Sequence, residues 1–350
     1  MNNLSVITAA LAVLAAGVGG LADEKAREKA HEKEPAPWAT RDIRAGVVGC
    51  DTSHVVAFTR VLNSHPQWRV RVVAAFPEVS GDMPNASVKR MPGYVKTLRE
   101  KHGVKIVASM AELIKLVDVV LIESVDGRPH LRQARAAFEA GKPVFIDKPF
   151  TAGLADAREI LRLAKKTGVP FFSSSCVRFQ PEIAKFRTDP GVGKLTKAQG
   201  SSPLHLEPHH PDLFWYGIHG VEALYTVMGT GCVSVRHEVG KTVERTVGTW
   251  RDGRIGIFRG VKKGDYKPLV RVWGAEGQAR SKGGYDYTGL CQAIAKFCQT
   301  RNAPIDPAET LEIIEFMTAA QLSKERGGTE VKLEEVRKPT KRPGKGNSSS

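Results

Sequence analysis

Short apolar runs alternate with helix-length stretches of mixed polarity through the first half of the chain. The apolar runs read RAGVVG, RVRVVAAF, VDVVLIES, KPVFID and VPFFSSS, and each has the length of a buried strand. Helices are predicted between them over 53–64, 130–141 and 154–168. Because strands that alternate with helices usually pair in parallel, this pattern predicts a parallel sheet with helices on both faces.

Residues that begin and end helices support this interpretation. Ser109 and Glu112 have the spacing of a capping box, which predicts a short helix after Ser109. Gly141 and Gly168 each follow a helical stretch, and glycine is typical of the left-handed residue that ends a helix.

Beyond Ser175 the pattern changes to paired short strands. The run TVGTWRDGRIGIFRG places an Asp-Gly turn between two of them, which favours antiparallel hairpins. Two helices close this region, one around LCQAIAKFC and one that begins at Asp306. The predicted fold class is α/β, with an N-terminal Rossmann-like doubly wound parallel sheet over 42–172. An α+β domain with a mainly antiparallel open sheet follows over 173–333.

Length and composition fit two folded domains. The chain has 350 residues, 41% of them apolar, which is enough to bury two cores. The formal net charge of +15 is not concentrated on one helix, and the basic segment 334–350 is predicted to be a disordered tail. We therefore expect no nucleic-acid partner. Five cysteines without a C-x-x-C pair argue against a disulfide framework or a zinc site.

An apolar segment from Leu4 to Ala22 precedes a charged linker over 23–41. The small residues at its end predict a signal peptide, 1–22, that is cleaved after Ala22. Its length also suits a single membrane anchor, so membrane contact is expected only if the leader is retained. We expect an exported protein, periplasmic or secreted, with a cytoplasmic location as the alternative.

The stretch GVVGCDTSH places a glycine between a strand and a helix, as dinucleotide-binding folds do. Gly49 suits the tight turn. Asp51 and His54, however, stand where the G-x-G-x-x-G fingerprint has its second and third glycines. Thr52 and Ser53 offer hydroxyls and helix amides to a phosphate, while the alternative is that Asp51, Thr52 and Ser53 only cap the helix.

The second strand also departs from the usual dinucleotide pattern. An acid that binds ribose usually ends this strand, whereas this chain has Phe76-Pro77 there, with Glu78 just beyond. Asp51 can support cofactor binding by pointing away as a cap or by accepting a ribose hydroxyl. An Asp51 carboxylate that faces the pyrophosphate would oppose binding.

A lysine follows another predicted strand in the sequence AGKPVFIDKPFTAG. Lys148 is thereby placed at the carboxyl end of a parallel strand, where open α/β sheets bind ligands. Together with the preceding VDVVLIESVDGRPHLRQARAAFEAG, this segment resembles the Gfo/Idh/MocA family of nicotinamide-dependent oxidoreductases. The family's turn corresponds to Glu123-Ser124, its histidine to His130 and its E-K-P motif to Asp147-Lys148-Pro149.

Later segments extend the resemblance over 45–333. The stretch WYGIHGVEALYTVMGTG is similar to the family's D-x-G-x-H-x-x-D segment through Gly217, His219 and Glu222, with Trp215 in place of the first acid. The closing stretch PIDPAETLEIIEFMTAAQLSKERGGTEVKL is similar to the family's final helix and strand.

The resemblance implies hydride transfer between NAD or NADP and a hydroxyl-bearing carbon of a sugar, cyclitol or related polyol. It implies that Lys148 is the general acid/base for the hydroxyl proton and that His219 orients the substrate or shares the proton. A small carbohydrate-like molecule is the expected partner, and self-association into a homo-oligomer is left open. The expected cofactor-binding residues are Gly49, Asp51, Thr52, Ser53, His54, Glu78, Ser124, His130, Asp147 and Lys148.

A polar segment, HLEPHHPDLFWYG, lies just ahead of His219. A metal site is one interpretation, but the spacing matches no helix-borne zinc motif, so no metal is expected. A loop of donors that lines the sugar pocket is favoured. Arg178 matches an arginine common in the family, with a surface ion pair as the alternative. The predicted substrate contacts are Arg178, His205, His209, His210, Tyr216 and Glu222.

Two other functions remain open at this point. The missing glycines and the leader also suit an exported binding protein that kept the fold without redox chemistry. An enzyme that holds NAD tightly and uses transient oxidation for elimination or hydrolysis is a further variant.

Overall fold

The computed structural model describes residues 41–338 except 80, 81, 83–85, 190 and 265. The predicted leader, 1–22, and nearly all of the charged linker lie outside the described residues, so their roles stay predictions. Within the described part of the chain, no helix is long and apolar enough to cross a bilayer.

Six parallel strands form the first sheet. They are β1 (Ile43–Val48), β2 (Val70–Phe76), β3 (Lys105–Ile106), β4 (Val119–Ile122), β5 (Val144–Asp147) and β6 (Phe171–Ser174). Their order is β3-β2-β1-β4-β5-β6, so the chain reverses its direction across the sheet between β1 and β4. Ligands of open parallel sheets bind at such a switch point, outside the carboxyl ends of the strands.

Five helices connect these strands and cover both faces of the sheet. They are α1 (His54–Asn63), α2 (Ala86–His102), α3 (Met110–Leu116), α4 (His130–Glu139) and α5 (Leu154–Thr167). Ser109 caps α3 as predicted, since its hydroxyl oxygen accepts a hydrogen bond from the Glu112 amide at 3.2 Å, but the box is not reciprocal because the Glu112 carboxylate accepts the Ala108 amide and not that of Ser109. Gly168 ends α5 in the left-handed conformation, with φ 70°.

The second sheet has seven strands in the order β12-β11-β7-β10-β9-β8-β13. The strands are β7 (Leu195–Pro203), β8 (Cys232–Glu238), β9 (Val243–Trp250), β10 (Ile255–Val261), β11 (Leu269–Gly274), β12 (Gly277–Arg280) and β13 (Val331–Lys332). All neighbours pair antiparallel except β7 and β10. The predicted fold class, a doubly wound parallel sheet followed by a mainly antiparallel one, is confirmed.

Five more helices belong to the C-terminal half: α6 (Pro181–Thr188), α7 (Ile218–Met228), α8 (Thr288–Thr300), α9 (Pro307–Glu325) and α10 (Leu333–Arg337). Helix α7 packs on the second sheet so closely that a Cβ on Gly200 would lie 2.1 Å from the Gly220 carbonyl oxygen. Helices α8 and α9 also contact the first domain, through α1, α5 and β6. The closing helices therefore hold the two domains together.

The first residues of the segment 334–350, which was predicted to be a disordered tail, are helical instead. Residues 334–337 continue α10, and Arg337 pairs with two carboxylates of α9, Glu312 at 3.3 Å and Glu315 at 2.7 Å. These ion pairs fix a segment whose composition alone favoured disorder. The rest of the predicted tail, 339–350, lies outside the described residues.

Candidate active site

A cavity of about 470 Å³ opens where the carboxyl ends of β1, β4 and β5 face the second domain. It brings together Lys148 and His219, the predicted catalytic pair, from separate domains. The first domain supplies Thr52, Ser53, His54, Arg90, Val125 and Lys148 to its lining, and the second supplies His205, Trp215, Tyr216, His219, Tyr285 and Tyr287.

The turn after β1 requires a glycine. Gly49 has φ 82°, and a Cβ there would lie 2.3 Å from the Ser124 hydroxyl and 2.5 Å from the Ser124 backbone. Ser124 is itself buried, and its hydroxyl exchanges hydrogen bonds with Gln133. Gly49 and Ser124 therefore shape the floor of the site, and neither lines the cavity.

Asp51 does not face the cavity. Its side chain is fully buried, its Oδ1 accepts the Val125 amide at 2.9 Å, and its Oδ2 has no hydrogen-bond partner among the described residues. Burial raises the pKa of this carboxyl to about 6, and the nearby charge of Asp126 contributes. Asp51 is thus neither a cofactor contact nor the cap of α1. Both predictions are wrong because the carboxylate instead accepts a hydrogen bond from the Val125 amide, in the turn after β4.

The N-terminus of α1 borders the cavity instead, and there the His54 amide donates a hydrogen bond to the Thr52 hydroxyl oxygen at 3.4 Å. Ser53 is the N-cap residue but makes no side-chain capping bond, and the first turn contains no acidic residue. Thr52, Ser53 and His54 all line the cavity. Helix amides, hydroxyls and the positive end of the helix dipole form a donor set that fits a dinucleotide phosphate, and no carboxylate opposes it.

His54 occupies the position of the third fingerprint glycine, and the buried carboxylate of Asp147 fixes its ring. Its Nδ1 lies 2.5 Å from Asp147 Oδ2, and Asp147 Oδ1 accepts the Lys148 amide at 2.8 Å. Burial opposes ionisation of Asp147, but the His54 and Lys148 contacts outweigh burial and lower its pKa. Asp147, predicted to bind cofactor, lies beneath the cavity and orients the two residues that line it.

The predicted catalytic pair, Lys148 and His219, lies among aromatic side chains. Lys148 is only 7% exposed, and its Nζ lies 5.9 Å and 5.5 Å from the ring centres of Trp215 and Tyr216. His219 Nδ1 lies 2.7 Å from the Ser175 hydroxyl, which fixes the ring. Burial, followed by the charges of Lys148 and His54, lowers the pKa of His219 well below its usual range. A neutral imidazole therefore stands beside the lysine.

Glu123, just after β4, is fully buried without a hydrogen-bond partner for either carboxyl oxygen among the described residues, which its place in the predicted turn did not indicate. Burial, together with the charge of Asp147, raises the pKa of Glu123 well above its usual range. Its neutral form is therefore favoured by its surroundings.

Arg178 and Glu222 do not line the cavity, contrary to the predicted substrate contact. They form an ion pair, and Arg178 Nη1 also lies 2.6 Å from Glu309 Oε1. All three side chains are buried. Arg178 therefore fits the alternative prediction, an ion pair, except that the pair is buried and not on the surface. Through Glu222 of α7 and Glu309 of α9, Arg178 links these two helices behind the site.

The histidine-rich segment divides into two parts. His205 lines the cavity edge-on to Tyr216, with ring centres 4.9 Å apart, in agreement with the predicted pocket. His209 and His210 instead both contact Glu207, at 2.8 Å and 2.7 Å. His210 Nε2 also accepts the Gly127 amide at 3.1 Å, which places it between the domains and not in the cavity. Across the described ranges, no cluster of His, Cys, Asp and Glu could hold a metal ion.

Two further predicted cofactor residues also lie away from the cavity. His130 is buried, with one ring nitrogen 3.0 Å from the Phe150 carbonyl and the other 3.0 Å from the Ser124 carbonyl. It therefore ties two loops together. Glu78 forms an ion pair with Arg132, and its ribose-binding role stays a prediction.

Sequence reasoning missed Arg90, Ser175, Tyr285 and Tyr287. The two tyrosines alternate in the sequence GGYDYTG ahead of α8, a pattern that could have indicated a common face. Tyr287 packs 5.0 Å from the His54 ring, and Tyr285 lies 5.3 Å from His219. Arg90 could not be recognised as a site residue from the sequence, because α2 carries many other charged residues.

Residues 43–175 match the family model GFO_IDH_MocA, described as "Oxidoreductase family, NAD-binding Rossmann fold". The resemblance inferred from the sequence is confirmed over these residues, and the description of the model agrees with the NAD or NADP expected in the first domain. A curated relative, 1,5-anhydro-D-fructose reductase of Ensifer adhaerens, is 28% identical over 152 residues, 41% of this chain and 43% of that protein. The chain spans less than half the length of the curated relatives it matches.

Two solved structures show the same fold over most of the chain. A probable dehydrogenase from Thermotoga maritima is 20% identical, with a TM-score of 0.68 over 84% of this chain and 100% of that one. Scyllo-inositol dehydrogenase from Lactobacillus casei, solved with NAD(H) and scyllo-inositol, is 14% identical with a TM-score of 0.68, at the same two coverages.

Proposed function

We propose, on the premise that residues 43–175 form the NAD-binding domain of a Gfo/Idh/MocA oxidoreductase, that the whole protein is an NAD- or NADP-dependent oxidoreductase. Its substrate class is a sugar, cyclitol or related polyol that carries a CH–OH group. One observation carries the proposal: Lys148 and His219 meet in one cavity with the open N-terminus of α1. The names of the relatives, a sugar reductase and an inositol dehydrogenase, support it.

The dinucleotide, when bound, accepts or supplies the hydride. Thr52, Ser53 and the first amides of α1 would hold its phosphates. In the oxidative direction Lys148 Nζ takes the hydroxyl proton, and in the reductive direction it returns it. His219, neutral and fixed by Ser175, can hydrogen-bond the same hydroxyl and orient it. Trp215 and Tyr216 exclude water around the lysine, which strengthens its interactions with substrate.

Replacement of the lysine tests this proposal. Lys148→Ala should lower turnover by about 10²–10⁴-fold, because a general acid/base group contributes that much, and should leave cofactor affinity nearly unchanged. Lys165→Ala, on the exposed side of α5, is the matched control and should keep normal turnover. The measurement is single-turnover hydride transfer, followed by nicotinamide absorbance.

Two results would overturn the proposal. Near-normal turnover of Lys148→Ala across pH would show that the lysine is structural. A wild-type protein that binds cofactor and polyols without any hydride transfer would be a binding protein on the same fold.

A further inference from the structure

The cavity is bordered by a second pair of acid/base groups besides Lys148 and His219. His54 lines it from the N-terminus of α1, and its Nδ1 lies 2.5 Å from Oδ2 of the buried Asp147. Burial opposes ionisation of Asp147, but the His54 and Lys148 contacts lower its pKa, so a carboxylate lies beneath the imidazole. Since a carboxylate can only accept, Nδ1 donates, and the neutral ring then carries its lone pair on Nε2.

The His54 ring is fixed by its neighbours as well as by Asp147. Phe58 stacks on it, with ring centres 5.1 Å apart and 23° between the planes, and Tyr287 packs edge-on at 5.0 Å. Within the described part of the chain, no group bonds Nε2 of His54. An oriented imidazole with one unbonded nitrogen therefore borders the space that a ligand fills.

An alcohol oxidation needs one proton acceptor, and the proposed function assigns that role to Lys148 with His219 beside it. The pair of His54 and Asp147 is thus left for a second proton transfer. Both pairs border one cavity of about 470 Å³, and after burial the charges of Lys148 and His54 both lower the pKa of His219. The two pairs are therefore close enough to act on different atoms of one small molecule.

We propose that His54, oriented by Asp147, removes a proton from the carbon next to the ketone that hydride transfer produces, so that the site also enolises its ketone. The inference rests on the proposed function, since that ketone is the product of the oxidation. A carbonyl group acidifies the neighbouring C–H bond, which makes this proton the one that a second base in the cavity would take.

The step is balanced without an oxidant or a reductant. The C–H bond breaks, and its proton goes to Nε2 of His54. The electron pair of that bond forms the carbon–carbon double bond of an enediolate, and the negative charge moves to the former ketone oxygen. Lys148 and His219 are the donors that stabilise this oxygen. Return of a proton from His54 to the same carbon restores the ketone, and a solvent deuteron that has exchanged onto the imidazole is incorporated instead.

The experiment supplies the ketone directly, so that enolisation is measured apart from hydride transfer. The full chain, saturated with oxidised NAD or NADP, is incubated in D₂O with three ketones: 1,5-anhydro-D-fructose, the ketone of scyllo-inositol, and fructose. Proton NMR follows the loss of signal on the carbons next to the carbonyl group. At least one ketone should exchange about 10²-fold or more faster than it does without protein.

A substitution then assigns the base. His54→Gln should lower the exchange rate by about 10²-fold or more at saturating cofactor and ketone, because glutamine cannot accept the proton. Urea unfolding checks that the variant is folded, and His54→Asn takes its place if it is not. His102→Gln, at the end of α2 and outside the cavity lining, is the matched control and should exchange at the wild-type rate.

Three results would overturn the inference. They are a folded wild type that exchanges none of the ketones above the rate without protein, a His54→Gln variant that exchanges normally, and one that loses only affinity for the dinucleotide. The last result would make His54 a phosphate contact. Reduced NAD or NADP with the same ketones tests the proposed function separately. Its oxidation without exchange refutes this inference alone, whereas exchange without its oxidation refutes the oxidoreductase and keeps His54 as the base.

Discussion

Asp51→Asn should stabilise the protein at neutral and alkaline pH. The carboxyl has a pKa of about 6 in the fold against an ordinary value of 3.8, because it is buried with one oxygen unpartnered. At 1.36 kcal/mol per pKa unit, ionised Asp51 costs the fold about 3 kcal/mol. Asparagine keeps an oxygen for the Val125 amide but buries an amide group without acceptors, at about 1–2 kcal/mol. The expected net gain is about 1–2 kcal/mol.

The sign of the pH dependence follows from the raised pKa. The folded state binds the proton more tightly than the unfolded state, so Asp51 is harmless below about pH 4 and its cost develops up to about pH 6. Urea unfolding should therefore show that Asp51→Asn is more stable than wild type by about 1–2 kcal/mol near pH 8 and less stable by about 1–2 kcal/mol near pH 4, where only the cost of the buried amide remains. Asp42→Asn, at an exposed carboxylate before β1, should change little at either pH. An equal loss of stability by Asp51→Asn at both pH values would refute the reasoning.

Two other variants test how the floor and the rear of the site are built. Gly49→Ala should cost about 3 kcal/mol or more in urea unfolding, because φ is positive and the Cβ meets the Ser124 backbone. Gly141→Ala, with positive φ but open space, should cost about 1 kcal/mol, and equal losses would contradict the packing argument. Arg178→Met should cost about 3–5 kcal/mol because it leaves the buried Glu222 without its cation and takes from Glu309 the closer of its two arginines, against about 0–1 kcal/mol for the half-exposed Arg187→Met. Similar losses would show that the buried ion pairs contribute no more than surface ones.

Local patterns in the sequence were enough to predict the fold and the two central residues. Alternation of strands and helices fixed the parallel sheet, because each apolar run is a buried strand. Lys148 at the end of β5 was placed by the rule that ligands bind at the carboxyl edge. His219 came from the resemblance of its segment to a motif of the Gfo/Idh/MocA family, and the cavity does bring both residues together.

Contacts between distant segments could not be predicted. Asp51 was expected to cap α1 or to accept a ribose hydroxyl, but it accepts a hydrogen bond from the amide of Val125, 74 residues away. Arg178 pairs with Glu309 across 131 residues, and no local pattern indicates that partner. His210 was predicted to line the pocket, but its ring accepts a hydrogen bond from the Gly127 amide, another partner that is distant in the sequence. Where a polar side chain has several possible partners, tertiary packing determines which one it contacts. A local sequence pattern carries no information about that packing.

The central claim is that the open N-terminus of α1 holds a nicotinamide dinucleotide beside Lys148. Titration of NAD and NADP into folded protein, freed of co-purifying nucleotide, tests it most directly with Ser53→Asp as the variant. Aspartate is a good N-cap, so the fold should persist, but its charge would oppose the phosphates. Ser109→Asp, the same change at the N-cap of α3, is the control. The account predicts saturable binding of at least one dinucleotide to wild type and Ser109→Asp, and about tenfold or more weaker binding to Ser53→Asp. No binding by folded wild type, or equal binding by Ser53→Asp, would contradict it.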